Sequence, residues 1–391
     1  MSSALVRDPH SDHLITPDVL ERGLLVGGNS VPASSGRLAD DISPWDGEIY
    51  ARVAAGTPED ITRAADAAEA AFPSWSKMGA FERREIFLRA ADVMAQRREE
   101  AIAALAGETG ASRVFSEFNV AFCIQVLREA AAAITRPMGE LLPTSIPGAY
   151  SMAQRIPFGV VGAISPWNAP LVLGMRSIAV PLAVGNTVVM KPSEDAPITC
   201  GLLLADVLAE AGLPAGVLNV VTNDLADAGD VVAALIADPR VRMVNFTGST
   251  NVGRIIGVQA AKQLKPAVLE LGGKNPLLIL EDADLDLAVD AAVFGAFLNS
   301  GQICMCTDRI TSTTAWPRRS SRGTWSGSRR WPPATPPIPP RSSGPSSTPV
   351  LPSVSRRSST TPPPREPPCS PATERSRGRT EPSSGRSCSP A

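Results

Sequence analysis

From residue 159 onward the chain alternates short Val/Ile-rich runs with Ala/Leu-rich stretches of helical length. That alternation limits the fold more than any other feature. The runs are VVGAIS at 160–165, TVVMK at 187–191, VLNVV at 217–221 and VRMVNF at 241–246. Near-continuous apolar, β-branched runs belong to strands buried on both faces, and helices between them supply the crossovers that parallel strands require. The expectation is an α/β chain built of βαβ units, with ligands outside the carboxyl ends of its strands.

Upstream the pattern differs. Residues 22–55 read as short strands, with Gly27-Gly28-Asn29 and Trp45-Asp46-Gly47 as hairpin turns. Thr57-Pro58-Glu59-Asp60 reads as a helix start, with Thr as N-cap, Pro at N1 and an acid at N3. The spacing predicts helices from there to about Phe72, from Phe81 to Leu105 with an end near Gly107, and over 111–135, forming a layer on a sheet.

Bulk properties bound the function. A chain of 391 residues can hold two or three domains. Residues 1–310 carry 24 Lys+Arg against 36 Asp+Glu, an acidic balance that argues against a nucleic-acid surface. No apolar run approaches 18 residues, so no membrane span is expected, and the N-terminus lacks the apolar core of a signal peptide. Cys123, Cys200, Cys304 and Cys306 follow no disulfide pattern, which suggests a reducing cytoplasm. No Cys/His cluster completes a metal site around Cys304-Met305-Cys306, so no metal is expected.

The stretch 265–309, LKPAVLELGGKNPLLILEDADLDLAVDAAVFGAFLNSGQICMCTDR, carries the chemistry. Glu270 precedes Gly272-Gly273, and Cys304 follows Asn299-Ser300-Gly301-Gln302. A carboxylate and a thiol beside glycine turns suggest a nucleophile with a separate base, although a Cys behind an apolar helix is more often an inert core residue. His10 and His13 are the only histidines, and both lie in a polar N-terminal segment, so a base for Cys304 would be a carboxylate or a water.

Taken whole, ELGGKNP followed by FLNSGQICMCTDR, with the Cys 34 positions after the Glu, resembles the paired active-site signatures of the aldehyde dehydrogenase superfamily. The resemblance implies a Rossmann-like NAD(P)-binding domain over 1–138 and 159–270, an oligomerisation hairpin at 139–158, and the start of a catalytic domain at 271–310. It assigns Cys304 as nucleophile, Glu270 as the base that activates water, and Asn168, in the Pro166-Trp167-Asn168-Ala169-Pro170 turn, to the oxyanion site. In the family, Lys191 and Glu194 of Lys191-Pro192-Ser193-Glu194 bind the adenosine ribose, and a carboxylate there favours NAD while leaving NADP possible. Phe246-Thr247-Gly248-Ser249-Thr250-Asn251-Val252-Gly253 is not G-x-G-x-x-G, but it is similar to the superfamily's own phosphate turn, in which Ser249 contacts the pyrophosphate. Cofactor contacts are thereby expected at Ile164, Pro166, Trp167, Lys191, Ser193, Glu194, Gly248, Ser249, Gly253, Leu271 and Gly272.

CoA-acylating members generally lack the Glu, so its presence implies a free acid as product. Many relatives carry a Lys where Ser177 stands, which puts the usual proton relay in question. SMAQRIPFGVVGAISPWNAPLVLGMRS resembles the benzaldehyde, vanillin and salicylaldehyde dehydrogenase branch, implying an aromatic aldehyde substrate. Two rivals stand beside this reading: a non-catalytic nucleotide-binding remnant or interaction protein, and a γ-glutamyl-phosphate-reductase-like enzyme, which would not need Glu270.

From Thr311 the composition changes: of 81 residues 18 are Pro, 19 Ser and 13 Arg. Such a segment cannot bury enough apolar surface to fold, so 311–391 is expected to be a disordered tail. It begins where the family's catalytic domain should continue. With GC-rich codons chosen, 312–334 and 342–359 can be reread one nucleotide over as ordinary sequence of the family, which points to a frameshift. The family's later E-x-F-G-P motif and its C-terminal oligomerisation strand are missing from this reading, so an impaired homo-oligomer and little activity are expected.

Overall fold

The structure is a computed structural model and describes residues 19–312. Its centre is a seven-stranded sheet. In spatial order the strands are Ala267–Leu271, Val241–Gly248, Val160–Ile164, Thr187–Lys191, Leu218–Val220, Leu24–Val26 and Asn29–Val31. The first five run parallel; the last two form an antiparallel hairpin that joins at the edge. Gly27 and Gly28, at φ 61° and 82°, make that hairpin's turn, a left-handed conformation that costs a side-chain-bearing residue and not glycine. A separate three-stranded sheet combines Leu38–Ile42 and Ile49–Ala54, around the expected Trp45-Asp46-Gly47 turn, with Leu20–Arg22.

The period of two along each strand sorts the core into two layers. Val161, Ala163, Val188 and Met190 face one cluster, shared with Phe87, Phe115, Leu127 and Leu171 from the helices Ala80–Gln96, Arg113–Ala133 and Pro170–Ala183. Val160, Ile164 and Val189 face the other, with Ile61, Ala64 and Ala68 of the helix Pro58–Lys77, Leu235 of Ala228–Ala237 and Ile256 of Thr250–Lys262. Each buried Val or Ile contributes roughly 1.5–3 kcal/mol, so helices on both faces are what hold these runs as strands. A smaller unit follows the main sheet: the strands Pro276–Ile279 and Arg309–Ser312 pair in parallel, and the helix Leu285–Phe297 connects them.

The helix bounds differ from those expected, for local reasons. The first helix has the expected Thr57–Asp60 capping box but continues through Pro73 to Lys77. Burial of Trp75, whose Nε1 donates to the Leu182 carbonyl at 3.0 Å, holds the last turn despite the lost backbone donor. The second helix is two, Ala80–Gln96 and Arg98–Thr109, because Arg97 leaves helical geometry at φ −87° and ψ 17°. The latter ends at Gly110, in left-handed backbone at φ 67°, and not at Gly107. Order also runs past the expected start of the tail, because Thr311 and Ser312 belong to a strand in register with Leu278 and Ile279. Ladder hydrogen bonds use backbone alone, so pairing there is indifferent to side-chain composition. The rest of the expected tail, 313–391, lies outside the described residues.

The segment 139–158 forms the expected hairpin, Gly139–Leu142 against Ser151–Gln154, with Leu141, Tyr150 and Met152 exposed. Among the described residues no helix is long and apolar enough to cross a membrane, and no His/Cys/Asp/Glu group is arranged to hold a metal.

Candidate active site

Strand order turns one-dimensional motifs into a site. After Val160–Ile164 the chain moves outward to 187–191 and 218–220, then returns to the other side of 160–164 with 241–248. The crevice of an open parallel sheet lies at this reversal, outside the carboxyl ends of the strands. Four strand ends meet there. Ile164 pairs with Lys191 on one side and Phe246 on the other, while Thr247 and Gly248 pair with Glu270 and Leu271.

The thiol loop is fastened to two of those ends by three asparagine amides. Asn168 donates from Nδ2 to the Gln302 carbonyl at 2.8 Å, and Asn299 donates back to the Asn168 carbonyl at 3.0 Å. Beyond Glu270, across the Gly272-Gly273 turn, Asn275 donates to the carbonyls of Cys304 and Cys306 at 2.6 and 3.1 Å. Asn299, Ser300 and Gly301 all lie at positive φ, at 49°, 58° and 77°. Two side-chain-bearing residues in that region cost on the order of 1–3 kcal/mol each, and the amide clamps hold them there. The structure thus brings Asn168, Cys304 and the turn following Glu270 to one loop.

Cys304 is exposed, and its backbone N–H has no partner among the described residues. One N–H of the Asn168 amide also remains unused, since only one is committed to Gln302. Glu270 is exposed, and its carboxylate has no hydrogen-bond or ion-pair partner among the described residues. Cys123 and Cys200 differ in kind: both are fully buried, and burial pushes the Cys200 thiol up to about 12.

The cofactor positions expected from sequence fall at the same crevice. Lys191 is not a surface lysine; it is buried and ion-paired with Glu194. Asn223 extends the pair, donating to Glu194 Oε1 at 2.9 Å, while its own Oδ1 is buried without a partner. An orphaned buried acceptor beside an ion pair is a place for a ligand hydroxyl. Ser193 is buried next to them. Ser249 caps the helix Thr250–Lys262, its Oγ accepting from Val252 N at 3.3 Å, which leaves the hydroxyl hydrogen free to donate. Gly253 has a packing role as well: a Cβ there would stand 2.3 Å from Leu271 Cδ2, so a larger residue would require the Leu271 side chain to shift. A Cβ on Gly248 would meet the Phe246 ring at 2.4 Å, whereas one on Gly272 would meet open space. Pro166 accepts from the Cys200 thiol at 3.5 Å, and Trp167 stands partly exposed beside it.

Several roles escaped the sequence reading. Asn275 and Asn299 lie inside the two quoted signatures and Asn223 lies outside them, but all three act through contacts 29 to 131 positions away in the chain, which no local signal announces. Arg176 donates to Thr247 Oγ1 at 3.4 Å and so sets a cation beside the strand pair that carries Glu270. Ser177 is buried and hydrogen-bonded to the Gly174 carbonyl at 2.7 Å and to Ser165 Oγ at 2.9 Å, where a relay lysine was in question.

Residues 31–314 match the aldehyde dehydrogenase family. The chain belongs to that family. It is 54% identical over 290 residues to the vanillin dehydrogenase of Pseudomonas sp. strain HR199, covering 74% of this chain and 60% of that one. It is 44% identical to the salicylaldehyde dehydrogenase of Pseudomonas sp. strain C18, over 73% and 59%. Among solved structures, the salicylaldehyde dehydrogenase of Pseudomonas putida G7, complexed with salicylaldehyde, superposes with TM-score 0.77 at 41% identity, over 78% of this chain and 63% of that one. The chain therefore spans about 60% of the length of the curated relatives it matches. The fold is that of the aldehyde dehydrogenases.

Proposed function

We propose that this chain carries the nucleotide site and the thiol centre of an enzyme that oxidises an aromatic aldehyde to its carboxylic acid with NAD(P). The observation that carries the reading is the meeting of Asn168, the Cys304 loop and the Glu270 turn at the carboxyl edge of the parallel sheet. Relatives named for vanillin, salicylaldehyde and benzaldehyde support the substrate class.

In this reading the Cys304 sulfur attacks the aldehyde carbonyl carbon. The oxyanion that forms takes a hydrogen bond from the free N–H of Asn168 and another from the Cys304 backbone N–H. When bound, the nicotinamide dinucleotide supplies the hydride acceptor that turns the adduct into a thioester. Glu270, unpartnered and exposed, draws a proton from the water that hydrolyses it and frees the acid. Lys191, Glu194 and Asn223 would hold ribose hydroxyls, and the Ser249 helix start the pyrophosphate. A carboxylate at Glu194 favours a ribose hydroxyl over a 2′-phosphate, and so NAD over NADP. Exposed Leu141, Tyr150 and Met152 support the use of the hairpin within 139–158 in oligomer contacts.

Alkylation of Cys304 tests the centre without requiring turnover. Iodoacetamide labelling, mapped by mass spectrometry, should slow several-fold when vanillin or benzaldehyde is present. Labelling indifferent to every aldehyde would leave the rival reading, a nucleotide-binding remnant.

A further inference from the structure

A second thiol stands two residues beyond the proposed nucleophile, and aldehyde oxidation gives it no work. We propose that Cys306 is a resolving cysteine, which closes a reversible Cys304–Cys306 disulfide after a hydroperoxide oxidises Cys304.

The local geometry supports this. Cys306 N donates to the Ile303 carbonyl at 3.1 Å, so residues 303–306 close a four-residue turn with both cysteines in it. Two virtual bonds of about 3.8 Å bent through a turn place the Cα atoms roughly 5–6 Å apart, within the range disulfides span. The Asn275 amide holds both residues' carbonyls at once, at 2.6 and 3.1 Å, so the two backbones are fixed relative to each other. Cys304 is exposed and Cys306 half-buried, so both are open to a small oxidant. Cys306 is not packed as Cys123 and Cys200 are, which are fully buried.

The chemistry balances. The Cys304 sulfur attacks one peroxide oxygen and the O–O bond breaks; Cys304 becomes a sulfenic acid and the other oxygen leaves as water or alcohol. The Cys306 sulfur then attacks the Cys304 sulfur, the S–O bond breaks, and hydroxide leaves as water with the Cys306 proton. Two thiols lose two electrons in all, and one hydroperoxide gains them. Closure halts oxidation before the irreversible sulfinic stage, and reducing thiols reopen the bridge.

No Lys or Arg lies between Lys274 and Arg309, so a single tryptic peptide, Asn275–Arg309, contains both sulfurs. The full chain is treated with a small excess of hydrogen peroxide, alkylated, digested and weighed. The wild-type peptide should lie about 2 Da below its dithiol form and recover on dithiothreitol treatment, whereas Cys306→Ser should gain about 32 or 48 Da at Cys304, resistant to dithiothreitol, with the reducible fraction down about tenfold. In Cys304→Ser, Cys306 should stay reduced. The proposal is overturned if wild type accumulates the same oxygen additions as Cys306→Ser, if Cys304 links instead to Cys369 or Cys388, or if Cys306 oxidises equally well without Cys304. The readout is mass, so it stands or falls separately from aldehyde turnover.

Discussion

Asn168 grips the thiol loop with one N–H of its amide, and in the proposed mechanism it offers the other to the reacting carbonyl. In an enzyme with the catalytic domain restored, Asn168→Ala should slow acylation by roughly 10²–10³, the usual cost of losing one oxyanion donor, and rapid-quench measurement of the first turnover would show it. A second residue-level prediction concerns Asp41. Its carboxyl is 2% exposed, and neither oxygen meets a partner at hydrogen-bond geometry, although Glu108 lies close enough to oppose part of the shift. Burial, with the Asp195 charge adding to it, pushes Asp41 from 3.8 up to about 7. The folded state then holds more protons than the unfolded state between those values. The stability is full below about pH 4 and is lost as pH rises through about 7, by on the order of a few kcal/mol. Urea midpoints should therefore fall from pH 5 to pH 8, and Asp41→Asn should flatten the slope; an unchanged slope would show that the Asp41 carboxyl is not its source.

Among the elements, the helix Thr250–Lys262 and the strand Ala267–Leu271 carry the chain from the Ser249 turn to Glu270. Gly253 lies directly against the Leu271 side chain. Gly253→Ala sets about 1–3 kcal/mol of overpacking against about 1 kcal/mol of helix propensity gained, for a net cost of about 0–2 kcal/mol, and adding Leu271→Ala should recover part of the overpacking, a coupling that a double-mutant cycle in urea unfolding would measure. Equal losses in both backgrounds would mean that the two side chains do not meet. Existence and type of these elements were legible, since Val/Ile runs and the Thr57 capping box are local signals. Their ends were less so. Trp75 holds a turn beyond Pro73 through Leu182, which is 107 residues away, and no window of sequence contains that contact.

For the whole molecule, the family match stops at residue 314 of a chain that continues to 391 with a Pro-, Ser- and Arg-rich composition. The 391-residue chain should give no NADH absorbance at 340 nm over a panel of aromatic aldehydes, while a version with the reading frame corrected after codon 310 should. Robust turnover by the chain as it stands would refute this, and resequencing that shows an intact frame across codon 310 would remove its cause.

The order and spacing of the motifs were enough to identify the family, because reacting side chains must sit at fixed offsets from strand ends, and strand ends are written locally in apolar runs and glycine turns. Tertiary structure alone decided what holds those side chains. Asn275 and Asn299 clamp the thiol loop, and Lys191 is buried against Glu194 and Asn223, because the strand order makes neighbours of residues far apart in the chain. A hydrogen bond has no sequence signature when its donor and acceptor meet only after the sheet has formed.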